Sequence, residues 1–97
     1  MGKIILSGFD ITKSEKAIVD NIIKTHEIKI EREIEYKALK LTLKKSQHGK
    51  EWLYEIKAKL DINNKVFNAE ITDYNLFYAV AEALNKIINE AVHYHKE

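Results

Sequence analysis

The chain has no cysteine, no proline and a single arginine, and the lack of cysteine and the shortage of arginine each close off a class of function. Without Cys there is no disulfide framework, no thiolate nucleophile and no sulfur-built zinc finger. A domain of 97 residues must then be held by apolar burial and backbone pairing alone. With Arg32 alone among 16 basic residues, the cations are lysines, point charges rather than the bidentate forks that read base edges. Gly2, Gly8 and Gly49 are too few and too scattered for a phosphate-cradling loop. Ser7, Ser14 and Ser46 are the only serines, and none lies in a Gly-x-Ser-x-Gly elbow. No apolar run approaches the roughly 20 residues of a membrane helix, and the N-terminus lacks the pattern of a secretory signal. We therefore expect one cytoplasmic domain spanning residues 1–97.

What is present is charge in blocks. The formal net charge is only +1. Residues 37–59, however, hold Lys37, Lys40, Lys44, Lys45, Lys50, Lys57 and Lys59 against Glu51 and Glu55. Residues 27–36 and 60–97 are net acidic, so one segment carries the positive charge.

The periodicities within and around that segment define its context. Residues 3–9, apolar through Ile4, Ile5 and Leu6 and followed by Gly8, read as a first strand ending in a turn. Thr12-Lys13-Ser14-Glu15 has capping-box spacing and opens a helix whose stripe is Ala17, Ile18, Val19, Ile22, Ile23 and His26. Residues 27–33 fit neither period, because Ile30 continues the helical stripe while Ile28 and Ile30 alternate like a strand. From Ile34 the pattern alternates, with Leu39, Leu41 and Leu43 on one face. Residues 46–50 read as a loop, and Tyr54, Ile56, Ala58 and Leu60 as the buried face of the hairpin partner. Asn63-Asn64 can take the positive φ of a tight turn into a strand burying Phe67, Ala69 and Ile71. Thr72 or Asp73 can cap a last helix, to about Tyr94, with Leu76, Phe77, Val80, Leu84, Ile87, Ile88, Ala91 and Val92 on one stripe. The order β-α-β-β-β-α is an α+β fold, a two-layer sandwich of a four-stranded sheet packed on two helices.

Few residues carry chemistry. In His93-x-His95 the imidazoles point about 200° apart on a helix, so a polar helix end whose charge favours the C-terminal dipole accounts for them better than a metal site. His26 reads as a boundary residue and His48 as loop. Lys40, Lys44, Lys57 and Lys59 alternate with buried positions and should project from the same side of adjacent strands, with Thr42 among them. That composition is one for holding a phosphate backbone without reading sequence; the competing explanation is a solvated sheet face that aids solubility. The aromatic residues are scattered and serve packing, with Trp52 the one exception worth testing.

The element order and several motifs resemble the short ribosome hibernation promoting factors, also called ribosome-associated inhibitors of translation. The residues concerned are Ile4 and Ile5 with Ile11-Thr12 at the helix entry, Tyr54-Glu55-Ile56-Lys57-Ala58-Lys59-Leu60, and Asn75-Leu76-Phe77-Tyr78-Ala79-Val80 with Lys86-Ile87. The resemblance implies a protein that lies in the small-subunit channel used by mRNA and tRNA and inhibits translation in idle ribosomes. It also implies no enzymatic reaction, no cofactor, no metal and no small-molecule substrate. Lys16 and Lys86 fall at basic positions that the family uses on rRNA. Asn89, Glu90, His93 and Ile22 depart from the family's basic pattern. The resemblance being to short-form members, the dimerising extension of long-form members is not expected. The expected rRNA-binding set is Lys16, Lys40, Lys44, Lys57, Lys59 and Lys86. The alternative function is a double-stranded-RNA-binding or protein-interaction module of the same shape.

Overall fold

The structure, a computed structural model, describes residues 2–63 and 65–96. In chain order it comprises β1 (Lys3–Ser7), α1 (Lys13–Glu33), β2 (Ala38–His48), β3 (Glu51–Ile62), β4 (Lys65–Asp73) and α2 (Leu76–Lys96), the expected β-α-β-β-β-α arrangement. One sheet runs β1-β2-β3-β4, with β1 parallel to β2 across the α1 crossover and the rest an antiparallel meander. Its register sets Leu39 opposite Leu60, Leu41 opposite Ala58 and Leu43 opposite Ile56, and Phe67, Ala69 and Ile71 continue these rows into β4. The pleat therefore gathers the buried apolar side chains of the central strands on one face. Among the described residues no helix is long and apolar enough to cross a membrane.

The helix entry at Thr12 forms as its sequence dictates. The Glu15 amide donates to Thr12 Oγ1 at 3.1 Å, and the Thr12 amide donates to Glu15 Oε1 at 2.9 Å. α1 continues through the ambiguous residues 27–33 and stops at Ile34, whose extended backbone ends the helix while its amide still bonds the Ile30 carbonyl at 2.9 Å. Only Val19, Ile23 and Ile30 are fully buried on α1. The expectation that Ala17 and Ile18 share this stripe is corrected: both are exposed. At about 100° per residue Ile18 lies about a third of a turn away from the Val19, Ile23 and Ile30 direction, and Ala17 and Ile28 lie further round, toward the opposite side. His26 does sit at the boundary, its Nδ1 2.7 Å from the Ile22 carbonyl and its Nε2 3.1 Å from Asn85 Oδ1, tying α1 to α2.

α2 is the more deeply buried helix. Leu76, Ala79, Val80, Ala83, Leu84, Ile87, Ile88 and Ala91 are all in the core, where it packs against β3, β4 and α1. Its cap is neither Thr72 nor Asp73, which belong to β4, but Asn75, whose Oδ1 accepts from the Tyr78 amide at 3.1 Å. Asp73 instead holds the cap residue, accepting from the Asn75 amide at 2.8 Å.

A further correction concerns residues 46–50. Ser46, Gln47 and His48 belong to β2, and Glu51 pairs with His48, so the turn is only Gly49 and Lys50. Gly49 has φ +65° and Lys50 has no positive φ, the sign pattern of a II′ hairpin turn. At the next turn Asn63 has no positive φ, contrary to expectation, and Asn64 lies outside the described residues.

Tyr36, between α1 and β2, is 4% exposed with its hydroxyl 3.5 Å from Glu27 Oε2. Burial first, and then the charges of Glu27 and Glu31, push its phenol from 10.0 up to about 12. A tyrosine raised in the folded state contributes stability that is complete below pH 10 and lost as pH climbs to about 12. Chemical denaturation across this window should show a loss on the order of 2 kcal/mol in the native chain that Tyr36→Phe lacks. Equal slopes for both proteins would contradict this.

Candidate nucleic-acid interface

On the sheet face opposite the core, the register sets Lys40 directly across from Lys59, Thr42 across from Lys57, and Lys44 across from Glu55. In β4, Asn68 lies opposite Lys59 and Glu70 opposite Lys57. Alternation alone puts these side chains outward, because each is flanked by core residues such as Leu39, Leu41, Ala58, Leu60 and Ala69. α2 packs on β3 and on the edge strand β4, and its exposed side carries Lys86 and Glu90, one turn apart, around that edge. Together these residues line an open concavity of about 550 Å³ holding Lys40, Lys57, Lys59 and Lys86 with Thr42, Asn68, Glu70 and Glu90.

The electrostatics leave this site positive. Lys40 and Lys59 are directly opposed like charges, an arrangement that costs a sheet stability unless an anion intervenes. Lys57 approaches Glu55 only to 3.9 Å, and its own side chain is 61% exposed, so the pair is worth little. Thr42 and Asn68 add neutral donors. Ammonium groups, a hydroxyl and an amide in one solvated concavity suit phosphate oxygens, and they offer no forked donor for a base edge.

Four of the six expected residues thus converge: Lys40, Lys57, Lys59 and Lys86. Lys44 shares the sheet face but lies outside the concavity, opposite Glu55. Lys16 is not brought to it; on α1 it forms an ion pair with Asp20 at 2.7 Å. Asn68 and Glu70 are not among the residues expected from sequence, although the alternation of β4 places both on the outward phase, and Glu90 is expected only as a departure from the basic pattern of the last helix.

Elsewhere, Trp52 is the second residue of β3 and is 44% exposed, with Lys45 Nζ 5.3 Å from its ring centroid. Among the described residues no group of three or more His, Asp or Glu side chains could hold a metal ion. A smaller hollow of about 210 Å³ is lined by Gly2, Glu31, Ile34, Glu35 and Tyr36. Its acidic rim suits no polyanion.

Comparison with known proteins gives one consistent result at the level of the fold. No family model matches the sequence, and no curated protein matches it. Among solved structures, the chain is similar to the N-terminal domain of Thermus thermophilus Protein Y, with a TM-score of 0.66 and 18% identity over 95% of this chain and 94% of that one. It is also similar to a ribosomal subunit interface protein from Coxiella burnetii, with a TM-score of 0.68 and 12% identity over 98% of this chain and 99% of that one. Both are of the hibernation-factor type that the motifs resemble, and the likeness to them is one of fold.

Proposed function

We propose that this chain is a non-enzymatic, cytoplasmic ribosome-binding protein that occupies the mRNA and tRNA channel of the small subunit and inhibits translation in idle ribosomes. In this reading Lys40, Lys57, Lys59 and Lys86 hold rRNA phosphates, with Lys44 beside them and Lys16 at the periphery. The observation that carries it is the convergence of four lysines from β2, β3 and α2 in one open concavity. The fold around them is one that a protein named for the ribosomal subunit interface also has. Lysines of this kind give affinity through release of counterions, without sequence preference, which suits a structured RNA surface of fixed shape.

Co-sedimentation with purified small subunits tests the proposal. The protein should pellet with the subunit at low salt and be released as salt is raised, and it should stop an mRNA-programmed translation reaction. Binding to a plain RNA duplex with no pelleting on subunits would overturn it in favour of a duplex-binding module.

A further inference from the structure

The β2–β3 hairpin outruns the core. Leu43 and Ile56 are the last buried cross-strand pair, and beyond them the same face carries Lys45 opposite Tyr54 and Gln47 opposite Trp52. Trp52 stands in this unsupported stretch as the chain's only tryptophan, 44% exposed. What fixes its surroundings is a cation. Lys45 Nζ donates to the Asp10 carbonyl in the β1–α1 connection at 2.8 Å, which anchors the ammonium, and it lies 5.3 Å from the indole centroid. Around it, residues 44–52 carry Lys44, Lys45 and Lys50 against Glu51 alone.

An exposed indole with a tethered ammonium at its side is complementary to a nucleobase with its phosphate attached. We propose that the hairpin tip is a second RNA contact, at which Trp52 stacks an unpaired base while Lys45 holds its phosphate. The inference rests on the reading of the lysine concavity as an RNA surface, to which the tip adds a contact on the opposite face of the same hairpin. Lys57 and Trp52 are five residues apart on β3, about 17 Å along the strand, and project from opposite faces of the sheet, so an RNA that meets both sites must pass around the hairpin rather than along one face. The ligand must be unpaired, since a duplex keeps its bases stacked on one another and offers the indole no free face.

Because Trp52 is the sole tryptophan, intrinsic fluorescence reports on it directly. Titration with a short oligouridylate should quench its emission, whereas a short RNA duplex should not. By a label on the RNA, Trp52→Leu should weaken oligouridylate binding roughly tenfold and leave duplex binding unchanged, and Trp52→Phe should restore most of the loss. Unquenched emission, equal losses on both RNAs, or emission that changes with protein concentration alone, the mark of self-association, would each overturn the inference. The two proposals fail separately. If Lys40→Gln with Lys57→Gln leaves both RNAs bound while Trp52→Leu releases the oligouridylate, the concavity is wrong and the tip stands. The converse result sinks the tip alone.

Discussion

Removing three charges from the concavity, as Lys40→Gln, Lys57→Gln and Lys59→Gln together, is expected to lower the affinity for small subunits on the order of a hundredfold at low salt. Each lysine that neutralises a phosphate is worth roughly 1 kcal/mol, and three of them approach two decades. The salt dependence is the more specific readout. The logarithm of the binding constant falls with that of salt by about 0.7–0.9 per neutralised phosphate, so the triple variant should lose between two and three from the slope. The fold should be unharmed, because all three side chains are exposed and the directly opposed Lys40 and Lys59 lose a mutual repulsion. Lys86→Gln should take about one from the slope by itself. Lys16→Gln separates two geometries. It should change little if RNA lies against the sheet and the β4 edge, since Lys16 already engages Asp20. A loss equal to that of Lys86→Gln would place the RNA across the helices instead. Sedimentation at several salt concentrations measures all of these, and an unchanged slope in the triple variant would remove the concavity from consideration.

Where the chain's signals were local, its structure was legible. The Thr12 and Glu15 capping box and the alternation of Leu39, Leu41 and Leu43 with Ile56, Ala58 and Leu60 needed no tertiary information, and each appears where it should. Two boundaries failed for identifiable reasons. Residues 46–48 are polar and carry no alternation, yet they pair with residues 51–53, because backbone hydrogen bonds in an exposed hairpin require no buried face. In residues 27–33, two isoleucines two apart satisfied both periods, and only packing decides between them: Ile30 is buried and Ile28 is 49% exposed.

The site was legible by half. The sheet lysines followed from strand alternation, but nothing in the spacing of α2 could say that Lys86 would meet them. That depends on α2 lying against β3 and β4, and the small Ala79 and Ala83 that help it pack closely were not read as core. Resemblance to a family supplied Lys86 and Lys16 together, and the fold brings only the first of them to the concavity. A helix residue is positioned by its packing partners, whereas a strand residue inherits its face from its immediate neighbours.

Gly8→Ala is expected to destabilise the fold strongly although it adds only one methyl group, because two costs coincide there. Gly8 ends β1 with φ +74°, a left-handed backbone that an L side chain adopts at a cost of about 1 kcal/mol. A Cβ at this position would also run into the main-chain carbonyl oxygen of Leu43. That carbonyl belongs to a strand bonded to β1 on one side and β3 on the other, so it cannot retreat as a flexible side chain could. The connection cannot easily move away either, since the Asp10 amide bonds the Gly8 carbonyl at 2.9 Å and Lys45 holds the Asp10 carbonyl. The sum should be on the order of 3 kcal/mol, a large part of the stability of a domain this size and roughly 15 °C in Tm. Gly49→Ala is the matched control: φ is +65°, and nothing lies within 4 Å of the added carbon, so only the backbone cost remains. Thermal unfolding of the two variants isolates the close approach of the β1–α1 connection to β2. Equal losses would mean that this contact contributes nothing, whereas a gap of about 2 kcal/mol identifies the Leu43 carbonyl as what makes glycine necessary at position 8.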